Sequence, residues 1–437
     1  MIGFVVHCPS EIRNFSDQFK DFLDKADYKA FVAALCAAVF GTAGYCDIFR
    51  YFLFAPSVSS LCRFFNDEND SKLVDKLSRR QRRIINRLWP KMHSDPSRFL
   101  WVIDDTLVGR SGEGEQTWGA YWWHDHSTGG NKFGHKILSL GLVDRKRQIL
   151  IPVAWEVLHR KKNDEDLAYQ KGWQRSLALL DLAVDEGFPK LTLVADSWFA
   201  GEEFFKGLTD REINFVSEMC CNRKVERHNR RSTDTRVDDF FRERHRSNVY
   251  YHDKRKWAAE ANLLFKDSSQ RLKTVAVANK KTVEDKAFGY YVSNKLTWNA
   301  SKIWGIWRDR WAIEVQFREL KLFFTLGEAA VRTENAVTMS IAISMIALTV
   351  IRLEQCSRVG AKEDQYVRPC AAGDIVRQYM LDSLSQGLTK LAHEKLGKSL
   401  RKRISQRLNP KNLKTKPTET AVTQRSYDYQ HDQSLAA

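Results

Sequence analysis

Three acidic side chains stand where they could support phosphoryl-transfer chemistry: Asp104, Asp196 and Glu314. Asp104 closes the apolar run Phe99-Leu100-Trp101-Val102-Ile103, and Asp196 closes Leu191-Thr192-Leu193-Val194-Ala195. Short apolar runs of this kind read as buried strands, so each aspartate is expected at a strand end. Glu314 lies in a helical stretch that also presents Arg310 and Lys321. Carboxylates gathered from strand ends and a nearby helix can hold two divalent cations, which activate a nucleophile and stabilise a leaving oxygen. The chain has 70 Lys and Arg against 54 Asp and Glu, a formal net charge of +16. That surplus favours an anionic partner, and nucleic acid would supply the phosphate.

The stretch around Glu314 is the sharpest signal. Trp307, Arg310, Glu314 and Lys321 follow one another at helical spacings and fall on one face of a continuous helix expected from Ser301 to Phe324. Ile306, Ile313, Phe317, Leu320 and Phe324 form an adjoining apolar stripe able to pack on a sheet. At the first acid the adjacent Asp104 and Asp105 compete. Side chains alternate along a strand, so only one of the two can face a metal.

Other constellations are weaker. His124 and His126 could share one face of a strand, but no third ligand accompanies them. Cys220-Cys221 lacks the paired spacing of a zinc site, and the eight cysteines read as reduced, mostly buried thiols. Trp298, Trp304, Trp307 and Trp311 surround the glutamate. Core packing is their default, with Trp298 or Trp307 the candidate for stacking on an unpaired base. A two-carboxylate sugar hydrolase is disfavoured by the net charge and by Arg310 and Lys321.

The elements that must position these residues can be read along the chain. Residues 1–97 are expected to be helical and are the candidate DNA-binding domain: two short helices around Pro56-Ser57 read equally as a helix-turn-helix or as a small bundle that only packs, and a third helix carries Arg79, Arg80, Arg82, Arg83 and Arg87 on one face. Residues 98–221 read as three strands (Phe99 to Asp104, His135 to Val143, Gln148 to Trp155), a helix from Gly172 to Asp185, a strand from Leu191 to Ala195, a helix from Glu202 to Arg211 and a strand from Asn214 to Ser217. A basic, β-rich insertion is expected over 222–288, the remainder of the core over 289–355, helices over 356–408 and a disordered polar tail over 409–437. The basic stretch from Lys398 to Lys416 could cover DNA. Residues 336–351 are apolar but short for a membrane span, so they read as a core helix and no membrane partner is expected. The first residues lack the basic and apolar regions of a signal peptide, which points to the cytoplasm.

This order resembles the RNase H-like fold, in which the first and fourth strands are adjacent and parallel and the third carboxylate comes from a later helix. The series Trp307-x2-Arg310-x3-Glu314-x6-Lys321 resembles the Y-x2-R-x3-E-x6-K signature of bacterial insertion-sequence DDE transposases, the group with a β-strand insertion before the glutamate. Trp307 stands where that family has Tyr, so the phenolic contact has no counterpart. Asp104-Asp105-Thr106 and Asp196-Ser197-Trp198-Phe199-Ala200-Gly201 are similar to the family's first and second acidic segments.

The resemblance implies an RNase H-like mixed-sheet core with a β-rich insertion, preceded by DNA-binding helices and followed by C-terminal helices. It implies catalytic and metal-binding roles for Asp104, Asp196 and Glu314, two Mg²⁺ or Mn²⁺ ions, and DNA contacts from Trp298, Trp307, Arg310 and Lys321. Its partners would be terminal inverted repeats and target DNA, held by a homodimer. The rivals are a domesticated nickase or endonuclease of the same fold, and a DNA-binding protein without catalysis.

Overall fold

The computed structural model describes residues 5, 7–66, 72–110, 117–125, 128–160, 169–226, 235–242, 244–251, 254–266, 270–281, 287, 289–359, 371–392 and 402. The expectations for His126, Cys370, the tail 409–437 and, apart from residue 402, the basic stretch 398–416 concern residues outside this set.

Six helices open the chain: α1 (Ser10–Ser16), α2 (Lys25–Val39), α3 (Tyr45–Tyr51), α4 (Val58–Phe65), α5 (Leu73–Leu88) and α6 (Lys91–Ser94). Asp24 caps α2 by accepting the Ala26 and Asp27 amides at 2.6 and 2.8 Å, and Ser57 caps α4 through the Ser60 amide at 3.2 Å. Strands β1 (Phe99–Gly109), β2 (Tyr121–Asp125), β3 (Gly130–Asp144) and β4 (Ile149–Leu158) follow. Next come α7 (Gly172–Asp185), β5 (Thr192–Ala195), α8 (Glu202–Asp210) and β6 (Phe215–Glu218). The insertion holds β7 (Lys224–Val225), β8 (Thr235–Arg236), α9 (Val237–Phe241), β9 (Ser247–Tyr251), β10 (Lys254–Leu264) and β11 (Arg271–Ala278). The chain then forms β12 (Gly289–Ser293), α10 (Ala300–Asp309), α11 (Trp311–Leu322), α12 (Glu334–Val359) and α13 (Ala372–Ala392).

One mixed sheet organises the molecule, in the order β2-β3-β1-β5-β6-β12-β11-β10-β9, with β4 paired to β3. β1, β3 and β4 are antiparallel neighbours, whereas β1, β5 and β6 run parallel. The first and fourth expected strands are therefore adjacent and parallel, the RNase H-like arrangement. The insertion does not form a separate lobe: β12 pairs antiparallel with β6, and β11, β10 and β9 extend the sheet from there.

Helices cover both faces. α7 and α8 bury Leu177, Leu180, Phe204 and Leu208 against Trp101, Ile103, Leu193 and Phe215. Each such side chain contributes about 1.5–3 kcal/mol when removed from water. On the other face α10, α11 and α12 share a core with Val102, Val194, Val216 and the N-terminal helices. α12 is long and apolar enough to cross a membrane, but 89% of its apolar window is buried inside the protein, where it packs on α2, α5 and β4. Gln81 of α5 ties these layers together, donating to Thr349 Oγ1 at 2.7 Å and to the Pro152 carbonyl at 3.2 Å.

The structure corrects several boundaries. β1 does not end at Asp104; it runs on along β3 to Gly109. β2, β9 and β10 had no expected counterpart, because they are aromatic or charged and sit at the sheet's outer end or beyond the core strands. Part of the basic face of α5 is engaged within the protein, while Arg79, Arg83 and Arg87 are exposed. Arg82 forms a two-point pair with Glu186 at 2.6 and 2.9 Å, Arg79 approaches the same carboxylate at 3.5 Å, and Arg80 pairs with Asp21.

Candidate active site

Alternation along the strands decides which side chains meet. In β1, Leu100 and Val102 enter the core beneath α10–α12, whereas Trp101 and Ile103 enter the core beneath α7 and α8. Asp104 continues the first series and Asp105 the second. In β5, Val194 belongs to the first core, and Leu193 and Ala195 to the second. Asp196, next in the chain, therefore shares a face with Asp104. The register pairs Val102 with Val194, so Asp104 and Asp196 lie two residues further along the same row. Parallel pairing of β1 with β5 stops at Ile103 and Ala195. The acids thus flank the line where β5 ends and β1 continues.

Partners as well as register separate the adjacent aspartates. Asp104 accepts from Arg310 Nη1 at 2.9 Å. Asp105 pairs with Lys136 at 3.1 Å, whose ammonium also lies 4.2 Å from the Trp198 ring centroid.

Arg310 sits at a break that the sequence pattern concealed: the expected single helix is two, α10 and α11. The Arg310 amide donates to the Trp307 carbonyl at 3.0 Å, and the Ile313 amide to the Arg310 carbonyl at 2.9 Å. These three-residue bonds tighten the chain into a turn. The preceding Asp309 is buried and held by Arg145 at 2.6 Å and Gln148 at 3.2 Å, both from the β3–β4 turn. At the other end of α10, Glu260 of β10 accepts the Ala300 amide at 2.6 Å and Asn299 accepts the Lys302 amide at 2.9 Å. The insertion thereby anchors the start of the helix that delivers Arg310.

From this turn Arg310 reaches two acids, Asp104 and, through Nη2 at 2.5 Å, Glu314 Oε1. Glu314 lies in the first turn of α11, where the helix dipole favours a carboxylate. Trp307 is 8% exposed, packs on Tyr291 with ring centroids 5.0 Å apart, and lies 4.8 Å from the Arg310 guanidinium carbon. In this position it supports Arg310 rather than projecting outward. Trp298 is half-buried beneath the Lys302 ammonium, 4.4 Å from its ring centroid. Lys321 is exposed and lies in the field of Lys132 and Asp125. Among the described residues, no bond or ion pair joins Lys321 or Trp298 to the three acids.

The electrostatics follow from crowding. Burial pushes the Asp104 carboxyl up to about 7; Arg310 opposes this, while Asp105 and Asp196 add to it. Burial disfavours the Arg310 charge, yet Asp104, Glu314 and Asp196 outweigh it and the guanidinium is held more firmly protonated. A fourth acid was missed in the sequence: Glu218, the last residue of β6, lies in the field of Asp196, Arg310 and Glu314 and is raised by burial first, then by Asp196. The signal was present as Val216-x-Glu218, which repeats Val102-x-Asp104 and Val194-x-Asp196.

The donors here are carboxylate oxygens, which suit Mg²⁺ or Mn²⁺. Among the described residues, no three Asp, Glu, His or Cys side chains converge on one ion position as they stand. Arg310 bridges Asp104 and Glu314, so gathering the acids on cations requires its guanidinium to turn away.

A family model described as DDE superfamily endonuclease matches residues 27–282. The chain belongs to the DDE superfamily of endonucleases. Asp104 and Asp196 lie inside the matched residues, and Glu314 lies beyond them. The class implied by the three acids is therefore borne out at the level of the superfamily. Among solved structures, the chain is similar to a cryo-EM structure of a piggyBac transposase synaptic complex with hairpin DNA, at 13% identity and a TM-score of 0.46 over 91% of this chain and 78% of that one. No curated protein matches.

Proposed function

We propose that this DDE superfamily endonuclease is a transposase of an insertion sequence, binding terminal inverted repeats, hydrolysing DNA at each end and joining the freed 3′-hydroxyls to target DNA. The observation that carries this reading is Arg310 spanning Asp104 and Glu314 beside Asp196, at the line where β5 ends. Members of the superfamily normally use divalent metal ions. Asp104, Asp196 and Glu314 would hold two Mg²⁺ or Mn²⁺ ions. When bound, these lower the pKa of the attacking hydroxyl or water and neutralise charge on the leaving oxygen.

The chain's own groups do the rest. Asp104 would serve as a ligand in its carboxylate form, because metal ligation needs the deprotonated group. Arg310, released from Asp104 and Glu314, turns its donors to the phosphate being cut, where a planar fork matches paired oxygens. Trp307 fixes the base of that side chain. Lys321 and Lys132 would supply charge for a more distant phosphate, and Trp298 would meet an end base. Two ends must be brought together, so a homodimer is the working unit, acting in the cytoplasm on chromosomal DNA.

The test is Mg²⁺-dependent cleavage of DNA carrying the element's terminal repeats. Asp196→Asn is expected to abolish cleavage while binding the same DNA with unchanged affinity. Cleavage retained by that variant would remove Asp196 from the site and the reading with it.

A further inference from the structure

We infer that Glu218 is a fourth carboxylate of this site and binds the divalent cation on the Asp196 side. The inference rests on the function proposed above and adds a residue to it.

The first ground is register. β1, β5 and β6 are parallel, with Val102, Val194 and Val216 paired across them in one row. All three valines enter the core beneath α10–α12. Two residues further on, the same face carries Asp104, Asp196 and Glu218. The Ala195 and Ser217 pairing sets the last two side by side, and neighbouring strands lie about 4.8 Å apart. On its other side Glu218 is paired with Tyr291 of β12, and the Tyr291 ring packs on Trp304 and Trp307 at 5.6 and 5.0 Å. Glu218 is therefore walled by the aromatic cluster that also supports Arg310.

The second ground is charge. The described site has one guanidinium against four carboxylates, and its two bonding arms go to Asp104 and Glu314. Asp196 is bonded by the Ser197 amide. Among the described residues, neither Asp196 nor Glu218 has a cation within ion-pair distance. Both are half-buried. Two like charges held side by side away from bulk water are costly unless a cation lies between them. Among the described residues Glu218 has no ion-pair partner, and it is only half-exposed.

The experiment measures Mn²⁺ binding to the full chain without DNA, by the loss of the free-ion electron paramagnetic resonance signal. Glu218→Gln keeps the shape and removes the charge, and is expected to weaken Mn²⁺ binding about tenfold. Glu218→Asp should recover part of the loss. Asp181→Asn, on α7 and paired with Arg211, is expected to bind as the unsubstituted chain does. Melting without metal separates binding from folding: Glu218→Gln should melt no lower than the parent, because it relieves repulsion. If Glu218→Gln binds Mn²⁺ normally while Asp196→Asn does not, the inference is overturned and the proposed function stands. If both bind normally, the metal site itself is misplaced. A lower melting temperature for Glu218→Gln with unchanged Mn²⁺ binding would assign Glu218 a structural role instead.

Discussion

Burial pushes the Asp104 carboxyl from its ordinary 3.8 up to about 7, which makes this residue a measurable cost to the fold. Between these two values the folded chain keeps a proton that the unfolded chain has released. Stability therefore falls as pH rises through this window, and the loss is complete above about pH 7. Asp104→Asn is expected to match the parent below about pH 4 and to be more stable at about pH 8, by an amount on the order of 4 kcal/mol. A variant melting lower at about pH 8 would mean that the Arg310 pair outweighs burial. Arg310→Ala leaves the acids without their shared cation and the cut phosphate without its fork, so cleavage should fall by about 100-fold or more; an unchanged rate on pre-bound DNA would remove Arg310 from the reaction. The choice between Asp104 and Asp105 was hard to read from sequence because both faces of β1 are buried, so hydrophobic alternation is absent. Only the register against β5 separates them. Glu218 escaped notice because the expected strand stopped one residue short of it, at Ser217.

At the scale of elements, the turn between α10 and α11 aims the site. No glycine or proline marks it, and Arg310 has helical backbone angles, φ −56° and ψ −32°, so a continuous helix was the natural expectation from the apolar stripe. What makes the break is tertiary: Asp309 is drawn to Arg145 and Gln148 on one side, and Arg310 to Asp104 on the other. Asp309→Ala should destabilise the fold by about 2 kcal/mol, since it leaves the half-buried Arg145 and Gln148 without their shared partner. It should also slow cleavage more than it weakens DNA binding. Urea unfolding and single-turnover cleavage measure the two effects, and an unchanged stability would show that the turn is set elsewhere. The core strands and α7 were legible because apolar runs and leucine periodicity declare them. β9 and β10 were not, because their charged residues, among them Lys254, Arg255, Lys256 and Glu260, obscure the alternation.

Across the whole molecule, the insertion and the N-terminal helices are part of the frame that positions the acids. β9–β12 lengthen the core sheet and carry α10, while α5 is pinned by Arg82 to Glu186 and by Gln81 to Thr349. Part of the chain's basic charge is therefore structural. Arg82→Ala should cost about 3 kcal/mol by leaving Glu186 half-buried without its main partner, with the salt dependence of DNA binding unchanged. Lys321→Ala should do the reverse, lowering the salt slope by about one ion with little change in stability. Binding titrations across salt concentrations, paired with melting, distinguish the two, and equal slopes for the parent and Lys321→Ala would remove that residue from the DNA surface. The central claim concerns the three acids acting together on DNA, and its most direct test is strand transfer. Pre-cut terminal repeats with free 3′-hydroxyls are incubated with a supercoiled plasmid, Mg²⁺ and the full chain, and joined products are counted. The unsubstituted chain is expected to join ends only with Mg²⁺, and Glu314→Gln to assemble on the same ends without joining them; joining by Glu314→Gln at the parent rate would contradict the account.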